Sequence, residues 1–433
     1  MTVTITKPVQ GGTVKAIASK SEAHRQLICA ALGDKQTTIS CPECSEDIEA
    51  TTHCLIALGA DISYQNGCFT VTPINRSEKL NDKKQYLLDC GESGATLRFI
   101  LPVCGALGIT AKIRMGGRLP ERPLSALYDE MISHGCKLSE HGVSPLICSG
   151  QLTSGLYTLP GNITSQYISG LLFALPLLDG ESKIHLTSNL QSRSYVNITL
   201  QMLSKFGVEV IDTTDGFIIP GNQIFRSPRT LDTGGDWSNA AFWLCAGAIG
   251  LRGITCTNLD FDSKQGDKQI IELLKRFGAH VKCGKNSATV TPGILKGIDI
   301  KADDIPDLIP VLAAVASVAK GKTTIYNAER LRSKESDRLQ TVTKVLTDLG
   351  ADVMETNDGM VIEGKLKLKG GTIEAFNDHR IAMTAAILST ACRNEVKIKG
   401  ADAVRKSYPG FFKDFKDILG GDFKVSDVKV AAL

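Results

Sequence analysis

The stretch QMLSKFGVEVIDTTDGFIIPG (201–221) decides the fold. Apolar residues at helical spacing run into Gly207, and two short alternating runs joined by DTTDG follow. A glycine just past the last apolar position suits the C′ site of a helix, where φ > 0 is wanted. An Asp-Gly turn between alternating runs predicts a hairpin. The same pattern recurs at HCLIALGADISYQNGCFTVTP (53–73), DEMISHGCKLSEHGVSPLICS (129–149), ELLKRFGAHVKCGKNSATVTP (272–292) and KVLTDLGADVMETNDGMVIEG (344–364). A degenerate sixth copy is KDFKDILGGDFKV (413–425). The glycines fall at 59, 135, 207, 278, 350 and 420, at intervals of 70–76 residues. In step with them runs a second, more apolar helix with a polar start: KSEAHR at 20, ESGATLR at 92, TSQYISG at 164, DWSNAAF at 236, PDLIPVL at 306 and NDHRIAM at 377. The unit reads strand–helix–strand–helix–strand–strand, six times over, an α/β (α+β) chain.

Solenoid repeats are commonly shorter than this unit, so two domains of three repeats each are expected. RTLDTGGDW (229–237) lies near the midpoint and reads as a crossover, and Ile17–Ser21 occupies the same phase three repeats earlier. The predicted domains are therefore 18–231, and 1–17 plus 232–433, so that the first strand belongs to the C-terminal domain.

Composition bounds the function. With 433 residues, 42% of them apolar, the chain can build large cores. Forty-nine basic against 46 acidic residues leave a formal charge of +3, too balanced for a nucleic-acid coat. The longest nearly apolar runs, ISGLLFALPLL (168–178) and IPVLAAVASVA (309–319), are shorter than the ~18–20 residues of a membrane span. Thirteen scattered cysteines, an odd number, read as reduced thiols of a cytoplasmic protein. CPEC (41–44) with His53 and Cys54 is too loosely spaced for a zinc site, and no metal or cofactor is expected.

Chemistry concentrates at the helix starts. Six helix N-termini offer partly positive N–H groups fit for anions. Beside them stand Lys20, Ser21 and Arg25; Ser93, Gly94 and Arg98; Thr164, Ser165 and Gln166; and Asp378 and Arg380. Ser, Thr and Asp there would also serve as ordinary caps. Lysine and arginine are not cap residues, and they favour the anion reading. GGRLPERPL (116–124) adds Arg118 and Arg122, and RKSYP (405–409) adds Lys406. In RLRSKESDR (330–338), Lys334 and Arg338 stand at i and i+4 and are expected on one helix face.

Ten ordered motifs resemble the 5-enolpyruvylshikimate-3-phosphate synthase family: SKSEAHR (19–25), GESGATLR (91–98), LPERP (119–123), TSQY (164–167), SRSYVNIT (192–199), GDWSNAAF (235–242), IPD (305–307), KESDR (334–338), NDHR (377–380) and KSYP (406–409). The resemblance implies a two-domain inverse α/β barrel of the enolpyruvyl transferase type, each domain made of three βαβαββ repeats, with the active site in the cleft between domains. It implies transfer of the enolpyruvyl group of phosphoenolpyruvate to the 5-hydroxyl of shikimate 3-phosphate, with release of phosphate. It also implies a place in aromatic amino acid biosynthesis and competition by glyphosate.

By the same resemblance, shikimate 3-phosphate would be held by Lys20, Ser21, Arg25, Thr164, Ser165, Gln166, Ser192, Tyr195, Asp307, Arg330 and Lys334. Phosphoenolpyruvate would meet Lys20, Gly94, Arg122, Gln166, Arg338, Asp378, Arg380 and Lys406. Asp307 would take the 5-hydroxyl proton, Glu335 would protonate the methylene carbon, and Lys20 would share in the proton traffic. The substrates bring roughly −5 to −6 of charge, which a balanced chain can hold only with a local cationic cluster. Thr164 stands where many relatives have Ser, Arg330 where some have Asn, and Ala95 where Thr is common.

Two rival readings differ in specific residues. UDP-N-acetylglucosamine 1-carboxyvinyltransferases share the fold and the donor. They typically carry Lys-Asn in the first motif and a cysteine in the mobile loop, whereas here Lys20 precedes Ser21 and GGRLPERP lacks cysteine. A non-catalytic anion-binding repeat protein would need no Asp–Glu pair. The partners expected are the two small substrates alone, with no nucleic acid and no membrane, and the chain is expected to be a monomer. Splitting a cationic cluster between two domains sets like charges against each other until anions neutralise them. Small-angle scattering is therefore expected to show a smaller radius of gyration once shikimate 3-phosphate is bound. An unchanged radius with substrate and inhibitor both present would contradict a cleft that closes.

Overall fold

A computed structural model describes residues 1–75, 85–419 and 423–426. The chain divides into two compact units, Ala18–Thr233, and Met1–Ile17 with Gly234–Leu433. The first contains helices α1 (Lys20–Ala31), α2 (Glu46–Ala57), α3 (Gly94–Ala106), α4 (Ser125–Ser133), α5 (Ser165–Ala174) and α6 (Arg193–Lys205). The second contains α7 (Trp237–Ile249), α8 (Ile270–Phe277), α9 (Ile309–Ala316), α10 (Arg338–Asp348), α11 (His379–Leu388) and α12 (Phe411–Leu419).

Odd and even helices differ for a reason visible in their side chains. In α3 only Ala95 escapes full burial, in α7 only Ile249, and in α9 and α11 no residue does. Helices apolar on every side are stable only when surrounded. The even helices bury one stripe; in α8, Ile270, Leu273, Leu274 and Phe277 are covered and the residues between them are not. Each unit thus carries three sheathed inner helices. In the second unit Trp243 is wholly buried and stacks on Phe411 with ring centroids 4.8 Å apart.

The sheath is six four-stranded sheets of one pattern. Gln85–Asp89 runs parallel to Thr110–Arg114, which pairs antiparallel with Leu146–Gly150, which in turn pairs with Cys136–Leu138. Three sheets are completed by strands distant in the chain. Thr37–Ser40 takes its parallel neighbour from Thr230–Asp232, at the far end of the same unit. Thr2–Ile5 lies between Val396–Lys399 and Phe423–Ser426, and Gly12–Lys15 runs beside Ile254–Thr257. Two strands therefore join the second unit from the start of the chain.

The repeat glycines at 59, 135, 207, 278 and 350 all have φ between +69° and +105°. Gly420 lies outside the described residues. The cost of adding a Cβ differs among them. At Gly59 the nearest atom would be 4.0 Å away, whereas at Gly278 it would lie 2.5 Å from the Ile294 carbonyl oxygen. Gly59→Ala pays backbone strain alone, about 1–2 kcal/mol. Gly278→Ala adds a backbone clash and is expected to lose roughly 1–3 kcal/mol more. Chemical denaturation of the two variants gives the comparison, and equal losses would refute it.

Candidate active site

In the second unit one guanidinium organises the charged residues. Arg338 opens α10 and is 1% exposed. Its Nε donates to Asp378 Oδ2 at 2.8 Å and its Nη2 to Asp378 Oδ1 at 3.2 Å and Glu335 Oε2 at 2.6 Å. Its Nη1 donates to Asp307 Oδ1 at 3.0 Å. Asp307 and Glu335 are thus bridged by one cation. Asp307 Oδ2 also faces Arg380 Nη2 at 3.1 Å, and Lys334 Nζ stands 3.9 Å from Oδ1. Burial opposes ionisation of Asp307, but the charges of Arg380, Lys334 and Arg338 outweigh it and hold the carboxyl well below its ordinary range. Burial pushes the Lys334 ammonium down to about 8, partly offset by Asp307.

Asp378 is wholly buried and caps α11 by accepting from the Arg380 N–H at 2.9 Å. Its other oxygen accepts from Ser336 Oγ at 3.0 Å. It therefore orients Arg338 and the start of α11 together. Arg380 Nη2 donates to Ser238 Oγ at 3.0 Å, and its buried Nε has no hydrogen-bond partner among the described residues. Lys406 Nζ donates to the Asn377 carbonyl at 2.7 Å. Arg330 lies on a 3₁₀ turn, Glu329–Ser333, partly exposed.

Two local expectations are corrected. Lys334 and Glu335 do not share a helix with Arg338. Asp337 caps α10 by accepting from the Gln340 N–H at 3.1 Å, so the helix begins at 338 and Lys334 has extended backbone. Nor does Asp307 hold the cap position of α9, which is Leu308, without a side-chain bond. Freed from capping, the Asp307 carboxylate points its oxygens at cations instead.

In the first unit the named residues lie at the starts of α1, α3, α5 and α6. Lys20 Nζ pairs with Asp47 Oδ2 at 2.7 Å. Arg25, 3% exposed, donates to Thr199 Oγ1 at 2.7 Å and to the carbonyls of Ser21 at 2.7 Å and Tyr195 at 2.9 Å. Burial brings its pKa down to about 10. It ties α1 to α6, a positioning task as well as a charge. Thr164 caps α5, accepting from the Gln166 N–H at 3.2 Å, and Ser165 beside it is buried. Ser192, buried at the start of α6, has φ +53°, a conformation non-glycine residues seldom adopt without a tertiary demand. Gly94 is the first residue of α3, and a Cβ there would lie 2.6 Å from Arg98 Nη1 and 2.9 Å from Arg122 Nη1.

Several working contacts had no separate signal. Arg98 Nη1 donates to Gln166 Oε1 at 2.9 Å and its Nη2 to the Pro123 carbonyl at 2.9 Å, linking α3 to Gln166 and to the loop of Arg122. Asp47, Ser238 and Ser336 act on Lys20, Arg380 and Asp378 through distances no spacing rule reveals. Among the described residues no group of three or more His, Cys, Asp or Glu side chains could hold a metal ion.

A family profile described as EPSP synthase (3-phosphoshikimate 1-carboxyvinyltransferase) matches residues 3–415. The chain belongs to the EPSP synthase family. A 3-phosphoshikimate 1-carboxyvinyltransferase of Clostridium kluyveri is 46% identical over 413 residues, 95% of each chain. One of Clostridium perfringens strain SM101 is 43% identical over 421 residues, 96% of this chain and 98% of the relative. The fold matches the EPSP synthase of Acinetobacter baumannii with a TM-score of 0.80 at 24% identity, covering 98% of this chain and all of that one. It also matches the enolpyruvyl transferase NikO of Streptomyces tendae, with a TM-score of 0.76 at 17% identity and 98% of each chain covered. The two-domain α/β architecture of three-repeat domains is thus the family's. Membership makes the chain a transferase of the shikimate route to aromatic amino acids.

The depressed lysine gives this member of the family a measurable signature. Lys334 is charged below about pH 8 and loses its proton as pH rises through that value. Carbon-13 NMR of the reductively methylated protein, assigned with Lys334→Arg, is expected to show one lysine titrating about two units below the rest. A Lys334 midpoint near that of exposed lysines would show the cluster to be solvated.

Proposed function

We propose that this chain transfers the enolpyruvyl group of phosphoenolpyruvate to the 5-hydroxyl of shikimate 3-phosphate, releasing phosphate, and that residues of both units carry the reaction. The observation that carries this reading is the Arg338 bridge between Asp307 and Glu335, two carboxylates held on one cation that is itself clamped by Asp378. Four of the five N–H directions of Arg338 are taken by carboxylates, which leaves one for a substrate anion. The unpartnered Nε of Arg380 is a second buried donor suited to phosphoenolpyruvate, with Lys406 beside the start of α11; Gly94 and Arg122 are proposed as further contacts of the same substrate. Lys20, Ser21, Arg25, Thr164, Ser165, Gln166, Ser192, Tyr195, Arg330 and Lys334 hold shikimate 3-phosphate. Asp378 acts through Arg338 and the start of α11, because both of its oxygens are already bonded.

The electrostatics suggest why both substrates are needed. With its neighbours unneutralised, Asp307 is ionised but a poor base, since three cations stabilise its charged form. A phosphate on Lys334 and a carboxylate or phosphate on Arg338 and Arg380 would cancel that field. The basicity of Asp307 would then rise toward what proton abstraction requires. Glu335, released from Arg338 by the same anions and protonated, would deliver its proton to the methylene carbon. The tetrahedral adduct would then expel phosphate as the new methyl group returns a proton to Glu335, restoring the double bond. Lys20, paired with Asp47, would be the cation shared by both substrates and would take part in the proton transfers. The proposed setting is cytoplasmic and the proposed active species a monomer.

Phosphate release that requires both substrates, in the presence of a chelator, tests the reaction. Asp307→Ala and Glu335→Ala are each expected to lower turnover by about 10²–10⁴-fold, the usual loss of a positioned acid or base. Calorimetry is expected to show that both variants still bind shikimate 3-phosphate. Near-normal turnover in either variant would remove that carboxylate from its role.

A further inference from the structure

Beneath Gly94 the core of the first unit contains a line of polar side chains that the reaction does not use. His24 on α1 is 1% exposed, and its Nδ1 lies 2.7 Å from Thr51 Oγ1 on α2. Thr51 Oγ1 lies 2.7 Å from Thr96 Oγ1 on α3, and Thr96 Oγ1 donates to Ser93 Oγ at 2.8 Å. Ser93 Oγ is the cap of α3 and accepts from the Thr96 N–H at 3.3 Å. Thr51 and Thr96 are wholly buried and Ser93 is 2% exposed. The row therefore crosses three helices without reaching solvent.

The direction of the row follows from proton counting. Thr96 has one hydroxyl proton for two acceptors, Ser93 Oγ at 2.8 Å and the Asp47 carbonyl at 3.4 Å, and with the proton on either of them Thr51 is the donor to Thr96. Thr51 must then accept from His24, which fixes the imidazole as the Nδ1–H tautomer. Its Nε2 is left without a proton, buried and without a hydrogen-bond partner among the described residues. Burial, with the charges of Lys20 and Arg25, keeps this ring neutral. A neutral donor is what the row requires.

Apolar residues would fill this space at lower cost, since buried hydroxyls repay desolvation only when fully bonded. What the hydroxyls add is distance. Contacts of 2.7 Å tie α1 to α2 and α2 to α3, a separation that a hydrogen bond sets more narrowly than apolar packing does. The start of α3 has no slack on its other side, where a Cβ on Gly94 would already press on Arg98 and Arg122. The first turn of α2 also carries Asp47, the partner of Lys20, and the Asp47 carbonyl lies 3.4 Å from Thr96 Oγ1.

We propose that Thr51 and His24 are positioning residues for phosphoenolpyruvate, setting the start of α3 against Lys20 through Thr96 and the Ser93 cap. This rests on the reading of Gly94 as a phosphoenolpyruvate contact, so Gly94→Ala is measured alongside. Steady-state phosphate release is compared for Thr51→Val, which keeps the volume, and Thr51→Ser, which keeps the hydroxyl. Thr51→Val is expected to raise KM for phosphoenolpyruvate about three- to tenfold, the worth of one buried hydrogen bond. Its kcat and its KM for shikimate 3-phosphate should stay within about twofold, and Thr51→Ser should restore the wild-type value. A merely structural role would shift both KM values together and leave Thr51→Ser as impaired as Thr51→Val, which would overturn the proposal. An unchanged KM in Thr51→Val, with Gly94→Ala impaired, overturns it too. If Gly94→Ala leaves KM for phosphoenolpyruvate unchanged, the contact itself is wrong and the proposal falls with it. Should Thr51→Val not fold, His24→Leu and His24→Asn form the same pair, because asparagine keeps a donor near the Nδ1 position. Loss in the first with recovery in the second supports the proposal, and equal loss refutes it.

Discussion

A helix buried on every side can be polar only at its ends. The inner helices α3, α7, α9 and α11 obey this constraint, and nearly everything else in the molecule follows from it. Their flanks pack mainly against apolar side chains, with Thr384 in mid-α11 an exception, so sheets and one-sided helices must sheathe them. Their starts carry unsatisfied N–H groups that need oxygen, and a hydroxyl or carboxylate cap supplies it in α1, α3, α5, α7 and α11. Polar chemistry is thereby concentrated at a few places per unit, and a substrate of several negative charges has somewhere to go. The exception is instructive. The start of α9 has no side-chain cap, and the carboxylate one residue before its cap position is the proposed base.

The cation–carboxylate cluster of the second unit shows how such a place is kept ready without substrate. An arginine 1% exposed would be ruinous alone, yet Arg338 meets three carboxylates, so its charge is compensated in the buried state. The partners are unequal. Asp378 is locked by Ser336 and the backbone of α11 and serves as an anchor, whereas Asp307 and Glu335 are 19% and 17% exposed and can exchange protein cations for substrate. A fixed anchor on one side and exchangeable anions on the other is an arrangement in which ligands compete with the protein's own carboxylates.

The repeat was legible because its signals are local. A glycine at C′, a two-residue turn and an apolar helix each follow from backbone rules, and a period near 72 residues multiplies them into an architecture. The strands before Ile17 were half legible, since phase placed the first with the second unit while the pairing of Gly12–Lys15 with Ile254–Thr257 needed coordinates. The candidate residues were found by motif resemblance, which locates them without saying what they touch. Spacing placed Lys334 and Arg338 on one helix face, and the Asp337 cap overrode it by starting the helix later. Arg98 with Gln166, Asp47 with Lys20, and the row from His24 to Ser93 join residues 27 to 68 positions apart or through a third helix. Such contacts depend on how helices pack, and no pattern along the chain encodes them.

The pairing of Thr2–Ile5 with Val396–Lys399 has a consequence for how the chain comes into being. Ala18–Thr233 is one uninterrupted segment and can close on itself as soon as it leaves the ribosome. The other unit cannot, because its first strand is made first and that strand's neighbours last, while Gly12–Lys15 waits for Ile254–Thr257. At synthesis rates of about 5–20 residues per second, the opening strand waits on the order of tens of seconds for its partner. Throughout that interval a short Val- and Ile-bearing strand has bare edges and a folded body already attached behind it. The alternation of Thr with Val and Ile in TVTI leaves every second side chain polar, which tempers its capacity to pair with the wrong neighbour while it waits.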